Sequence, residues 1–111
     1  MFGLTNQTRV YLRSGITDGR LGYDGLRALT VQKLKADPQA GHLFCFCNRA
    51  RSRVKFLWYD GTGFFIAAKR LPRGTFDFPK TPDAVAEMSP AQLQILLRGV
   101  EFTRPNGGYR R

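Results

Sequence analysis

Residues 42–79 read HLFCFCNRARSRVKFLWYDGTGFFIAAKRLPRGTFDFP, and their reading decides the fold. His42 to Cys47 form a short apolar run, and Asn48 to Ser52 a polar, basic turn. From Arg53 to Tyr59 the residues alternate: Val54, Phe56 and Trp58 fall on one side, Arg53 and Lys55 on the other. A period of two is the mark of a half-buried strand. Asp60-Gly61 then supplies a dipeptide that tolerates positive φ and closes tight hairpins. Gly63 to Leu71 predict the next strand, Pro72-Arg73-Gly74 a second turn, and Thr75 to Phe78 a short last strand stopped by Pro79. The expectation is an antiparallel β-meander.

Outward from this stretch the chain predicts further elements. Arg9 to Arg13 alternate and read as a strand. Gly15, Gly19, Gly22 and Gly25 mark a loop with unusual backbone angles. Its spacing is neither the P-loop pattern nor GxGxxG, so a nucleotide cradle is not indicated. Arg20 and the amides opening the next helix still offer a contact to a DNA phosphate. Asp24 is the expected cap of a helix running to about Ala36, with Leu26, Leu29 and Leu34 on one side and Lys33 and Lys35 in the last turn. Asp37-Pro38 stops it. Lys80 to Met88 read as a polar connector with at most one turn of helix. Ser89, Pro90 and Gln92 then give a capping box with proline at the first helical position, and Met88 can staple onto Leu93. Leu93, Leu96, Leu97 and Val100 keep the helical period to Gly99, a helix stop. Val100 to Thr103 suggest a closing strand, residues 1–7 a loose start, and residues 106–111 a flexible basic tail.

The fold class expected is therefore α+β: an antiparallel sheet of about five or six strands with two helices packed on one face. The predicted core is Phe44, Phe46, Val54, Phe56, Trp58, Phe64, Ile66, Leu93 and Leu97. The 111 residues suit one domain, ordered over about 8–105. Hydrophobic residues make up 42%, enough for a packed interior.

The formal net charge is +10. So large a charge on so small a domain repels itself and points to an anionic partner: nucleic acid, a membrane surface or an acidic protein. No apolar run is long enough to span a membrane, and the N-terminus lacks a signal-peptide pattern, so a cytoplasmic protein is expected. Within the meander the cations concentrate: Arg49, Arg51, Arg53, Lys55, Lys69, Arg70 and Arg73 against two acids, Asp60 and Asp77. Continued through the turn, a strand would set Arg51, Arg53 and Lys55 on one face at a repeat of about 6.6 to 6.8 Å. That repeat is close to the spacing of phosphates along one nucleic-acid strand. A charged exterior that only keeps the sheet soluble would look the same. The turns at Asn48 and Pro72, separated by one hairpin, should lie at the same end of the sheet.

Catalysis finds little support. The acids are scattered, and no pair has general acid/base spacing on one element. Asp60 and Asp77 would have to be brought together by the fold to hold Mg²⁺ for phosphoryl transfer. Cys45 and Cys47 share a strand face too far apart for an unstrained disulfide, and read as buried reduced thiols. With His42 they form a His-x-x-Cys-x-Cys pattern that lacks a fourth strong ligand. No cofactor is expected.

The order of the motifs carries a resemblance. His42-Leu43-Phe44, Lys55 through Gly63 (KFLWYDGTG), Lys69-Arg70-Leu71 and Ser89 through Leu93 (SPAQL) together resemble the TnpB accessory proteins of the insertion sequence 66 family of bacterial transposons, over residues 8 to 105. Where that family commonly has Thr-Asp-Met-Arg-Lys-Gly after the first strand, this chain has Thr17-Asp18-Gly19-Arg20-Leu21-Gly22, one basic residue fewer. Its two cysteines stand where aliphatic or aromatic residues are common. The resemblance implies a protein needed for transposition beside a separate catalytic transposase, and it implies no catalytic residues in this chain. Two mechanisms fit. In one, Arg49, Arg51, Arg53, Lys55, Lys69, Arg70, Arg73 and Arg20 bind duplex DNA through its phosphates, with weak sequence preference. In the other, the protein is an assembly factor docking onto the transposase subunit, with Trp58 or Tyr59 as an anchor.

Overall fold

A computed structural model of the chain describes residues 7–79 and 85–100. Its elements are β1 (Val10–Arg13), α1 (Tyr23–Gln32), β2 (Leu43–Cys47), β3 (Arg53–Tyr59), β4 (Phe64–Arg70), β5 (Val85–Met88) and α2 (Pro90–Leu96). The five strands form one sheet in the order β4-β3-β2-β1-β5. The α+β class holds, and β2-β3-β4 is the expected antiparallel run. The sheet as a whole is not a meander. β1 pairs with β2 in parallel, Val10 opposite Leu43 and Leu12 opposite Cys45. A parallel neighbour needs a crossover, and the loop from Ser14 together with α1 provides it.

A second correction concerns the layers. The helices lie on opposite faces of the sheet, not on one. Every residue of β2 is buried, as in a strand covered on both sides. Leu43, Cys45 and Cys47 join Val10, Leu12, Val54, Phe56, Phe76, Phe78, Leu93 and Leu97 beneath α2. Phe44 and Phe46 join Leu57, Leu26 and Leu34 beneath α1. One helix is needed for each apolar face. The core also takes in Val10, Leu12, Leu26, Leu34, Leu43, Leu57, Phe76 and Phe78, beyond the expected set, whereas Trp58, Phe64 and Ile66 are only half-buried.

Local corrections follow from tertiary pairing. Val85 to Met88, read as part of a polar connector, is an edge strand antiparallel to β1, with Val10 opposite Met88 and Arg13 opposite Val85. Of its residues only Val85 favours a strand while Ala86 and Glu87 disfavour one, so pairing more than composition makes it a strand. Thr75 to Phe78 is not a strand. Thr75 makes a single bridge to Val100, and Phe76 and Phe78 turn into the core as apolar plugs. Helix α1 ends at Gln32, short of Ala36, and Lys35 takes a left-handed φ of 53° beyond it. Its N-cap is Gly22, with no side-chain cap, and Asp24 stands in the first turn, where its charge complements the dipole. Helix α2 begins as expected: Ser89 accepts from the Gln92 N–H, and the Gln92 side chain accepts from the Ser89 N–H. The readings of a loose start at 1–6, of the connector at 80–84, of the closing strand beyond Val100 and of the basic tail lie outside the described residues.

Candidate nucleic-acid interface

The β2–β3 turn is built by one side chain. Asn48 Oδ1 accepts from the N–H groups of Ser52 and Arg53 at 3.0 and 3.1 Å. Arg51 adopts a left-handed φ of 57° to complete it. The segment after β4 returns to this turn: Leu71 N–H donates to Ser52 O, and Phe76 N–H to Arg51 O. The Asn48 and Pro72 turns therefore do meet at one end of the sheet. A third wall comes from the loop after β1. Thr17 N–H donates to Cys47 O, Arg13 Nη1 to Ile16 O, and Lys55 Nζ to Leu21 O at 2.9 Å. These bonds hold the glycine-bearing loop against the Asn48 turn.

Between them runs an open groove of about 660 Å³, lined by Arg20, Arg49 and Arg53 with Ile16, Ala50 and Asp18. Arg53 stands directly opposite Arg70 on β4, on the α1 side of the sheet. Like charges facing across a ladder destabilise it, so this pair costs stability unless an anion sits between them.

The eight candidate cations divide. Arg20, Arg49 and Arg53 line the groove, and Arg70 stands opposite Arg53. Arg51 does not share their face. Its left-handed backbone swings the side chain across the sheet end, where Nη1 donates to Phe78 O at 2.9 Å. The straight continuation of the strand through the turn, on which Arg51, Arg53 and Lys55 were aligned, is thereby overturned. Lys55 keeps its face, but its ammonium is committed to Leu21 O. Lys69 is opposite Val54 and so projects to the α2 side. Arg73 lies in the Pro72 turn and is exposed. Arg20 is bound twice by Asp18, Nη2 to Oδ2 at 2.9 Å and Nε to Oδ1 at 3.1 Å. The Arg20 guanidinium, followed by its backbone N–H, lowers the Asp18 carboxyl to about 2, so the acid is ionised at neutral pH and orients Arg20 at the groove mouth. The sequence reading missed Ile16, Asp18 and Ala50. The glycine-marked loop and the turn were visible in the sequence, but not their juxtaposition.

The alternative chemistries separate in space. Asp60 closes the β3–β4 turn, where its Oδ1 accepts from Thr62 N–H, Thr62 Oγ1–H and Gly63 N–H. Asp77 follows Phe76, which is bonded to Arg51 at the other end of β3. The seven residues of β3 put these ends about 20 Å apart, too far to share a metal ion. His42 packs against Tyr11 and Phe44 on the α1 side, whereas Cys45 and Cys47 are buried on the other. The His-x-x-Cys-x-Cys pattern is thus split by the sheet. Burial pushes the Cys47 thiol up to about 11 and Cys45 further still, so neither offers a thiolate. No described helix is long and apolar enough to cross a membrane.

The chain matches the family described as IS66 Orf2 like protein over residues 8–107. It belongs to that family, the TnpB accessory proteins of insertion sequence 66 elements. Two relatives come from Sinorhizobium fredii. "Uncharacterized protein y4hO" is 38% identical over 102 residues, covering 92% of this chain and 89% of the relative. "Uncharacterized protein y4jC" is 34% identical over 104 residues, covering 94% and 89%. No solved structure matches. Membership of this family associates the chain with transposition.

Proposed function

We propose that the chain is a non-catalytic accessory protein of transposition that binds duplex DNA by phosphate contacts from the basic end of its sheet. The observation that carries this reading is the Arg53–Arg70 pair, facing each other beside a groove that also presents Arg49 and Arg20. A phosphate between two facing arginines would turn a repulsion into two charge-assisted hydrogen bonds. With about four phosphates engaged, log affinity should fall with log salt at a slope of roughly −3 to −4. Engaging five or so of the meander cations would give about −4 to −5, but Arg51 and Lys55 are bound to main-chain carbonyls.

The test is a mobility-shift titration with a transposon-end duplex and an unrelated duplex at several salt concentrations. Similar binding to both, with that slope, is expected. Failure to bind any duplex at low salt would remove the reading. It would favour the second one, an assembly factor meeting the transposase subunit. One feature supports that alternative: Trp58 stacks on Phe65 at 5.7 Å between ring centroids, on the edge strand β4, with Phe65 44% exposed. An exposed aromatic stack is a suitable anchor for a protein partner. Neither role requires a cofactor.

A further inference from the structure

We infer that the groove between the glycine-bearing loop and the Asn48 turn takes one unpaired nucleotide, its base against Ile16 and Ala50 and its phosphate toward Arg49 and Arg53. The inference rests on the DNA-binding reading and goes further, because duplex backbone contacts need no groove. A flat basic surface would serve them. Here the sheet end is hollowed to about 660 Å³, within the range of about 300 to 1,000 Å³ typical of small-ligand sites. Its lining is divided as a nucleotide is divided. Ile16 is an apolar residue left 44% exposed, and Ala50, also exposed, faces it from the turn. The guanidinium groups stand with them around the same space. The open part of Ile16 provides a face on which a base can lie.

The groove is also held ready. Thr17 N–H to Cys47 O at 2.8 Å, Arg13 Nη1 to Thr17 Oγ1 at 3.0 Å, and Lys55 Nζ to Leu21 O tie the loop to three strands. Asn48 fixes the opposite wall. Little ordering remains to be done on binding, which favours occupancy by a single small unit. Asp18 holds Arg20 beside the groove through two hydrogen bonds, at 3.1 and 2.9 Å.

The unpaired nucleotide has two sources, a single-stranded extension at a duplex end or a base turned out within the duplex. Fluorescence anisotropy separates them. The probes are a blunt duplex, the same duplex with a short single-stranded extension, and the same duplex with one unpaired internal base, all at one salt concentration. Tighter binding by about fivefold is expected for one of the two modified duplexes, as burial of a few tens of Å² of apolar surface gives. Ile16→Ser should erase that preference and leave blunt-duplex affinity unchanged, since it alters no charge. As a readout that needs no variant, a photoreactive base at the unpaired position should crosslink to residues 16–20 or 48–50. Equal binding of all three probes, or crosslinks elsewhere, would overturn the groove inference while leaving duplex binding in place. Absence of binding to every probe would remove both.

Discussion

Two turns of this sheet use the same device, one with a neutral anchor and one with a charged one. At one end Asn48 folds its side-chain oxygen onto the N–H groups of Ser52 and Arg53. At the other, Asp60 does the same with Thr62 and Gly63. An acceptor oxygen makes the main-chain bonds of both turns, and at the basic end Asn48 Nδ2 also donates to Ser52 Oγ at 3.4 Å. An aspartate at position 48 would accept the same bonds and would gain attraction from Arg49 and Arg53 nearby. The attraction to Arg49 and Arg53 would offset the loss of the Asn48 Nδ2 bond to Ser52 Oγ. The asparagine there leaves the positive field uncancelled, and the acid is used where no cation cluster needs to be kept. On the DNA-binding proposal, this positive field and the facing Arg53 and Arg70 would be kept for the ligand.

The largest effect that would test this division concerns the apolar plug beneath the basic end. Phe78 is buried against the α2 face, and its carbonyl receives Arg51. Phe78→Ala should cost about 3 to 5 kcal/mol, enough to unfold much of a domain this small. Thermal denaturation followed by circular dichroism reads it. A variant that keeps its melting temperature would mean that the 76–78 segment is not structural and that the basic end has no such foundation.

The next effect falls on binding alone. Arg49→Glu together with Arg53→Glu should weaken all duplexes similarly, by about 30- to 100-fold at low salt, and flatten the salt slope by about two. Stability should be unchanged or rise by about 0.2 to 1 kcal/mol, because a glutamate at position 53 would face Arg70 as an opposite-charge cross-strand pair. Weaker binding with equal or better folding is the signature of charges kept for a ligand. A salt slope unchanged by the double substitution would place the DNA contacts elsewhere.

Much of this end is legible in the sequence. Counting hairpins puts the Asn48 and Pro72 turns at one end, and alternation puts Arg53 and Lys55 on one face. The capping box at Ser89 was equally plain, because its chemistry is local. What escaped was non-local. The continuous apolar run of β2 signals burial on both faces, yet only a second helix on the far side makes that meaning definite. The helix-length connection between β1 and β2 called for a parallel crossover, against the antiparallel pattern of the rest. Val85 to Met88 is a strand only because β1 offers an edge. Arg51 shows the same limit at one residue: a left-handed backbone angle inside a turn breaks the alternation that aligned it with Arg53.

Arg51 therefore separates the two turns in a further way. Its guanidinium supports the fold, whereas Arg49 and Arg53 face the groove. Arg51→Ala should cost about 1 to 3 kcal/mol through the lost bond to Phe78 O, with the left-handed backbone still to be held. Binding per folded molecule should fall less than with Arg53→Ala. If Arg51→Ala instead leaves stability intact and flattens the salt slope by a full unit, Arg51 belongs with the phosphate contacts.

The smallest effects come from exchanging the two turn anchors. Asn48→Asp should preserve or raise the melting temperature and weaken duplex binding by a few-fold, as one charge is added beside Arg49 and Arg53. Asp60→Asn should leave binding unchanged, because about 20 Å of strand separates it from the groove and exceeds the Debye length of about 8 Å at physiological salt. Its effect belongs to the acid limb of stability. The Thr62 N–H first, then Gly63 N–H and the Thr62 hydroxyl, hold the Asp60 carboxyl below the usual carboxylate range. A depressed folded value contributes stability that is fully present above the unfolded pKa of about 3.9 and is lost as pH falls through the folded value. An asparagine at position 60 has no such titration. The variant should be slightly less stable than the wild type at neutral pH, where charge-assisted bonds are replaced by neutral ones. Below about pH 4 the two should converge. Denaturant midpoints measured from about pH 7 down to about pH 2 give this directly. A stability difference that stays constant across that range would show that the Asp60 charge contributes nothing to its turn. The contrast with Asn48 would then reduce to the basic end alone.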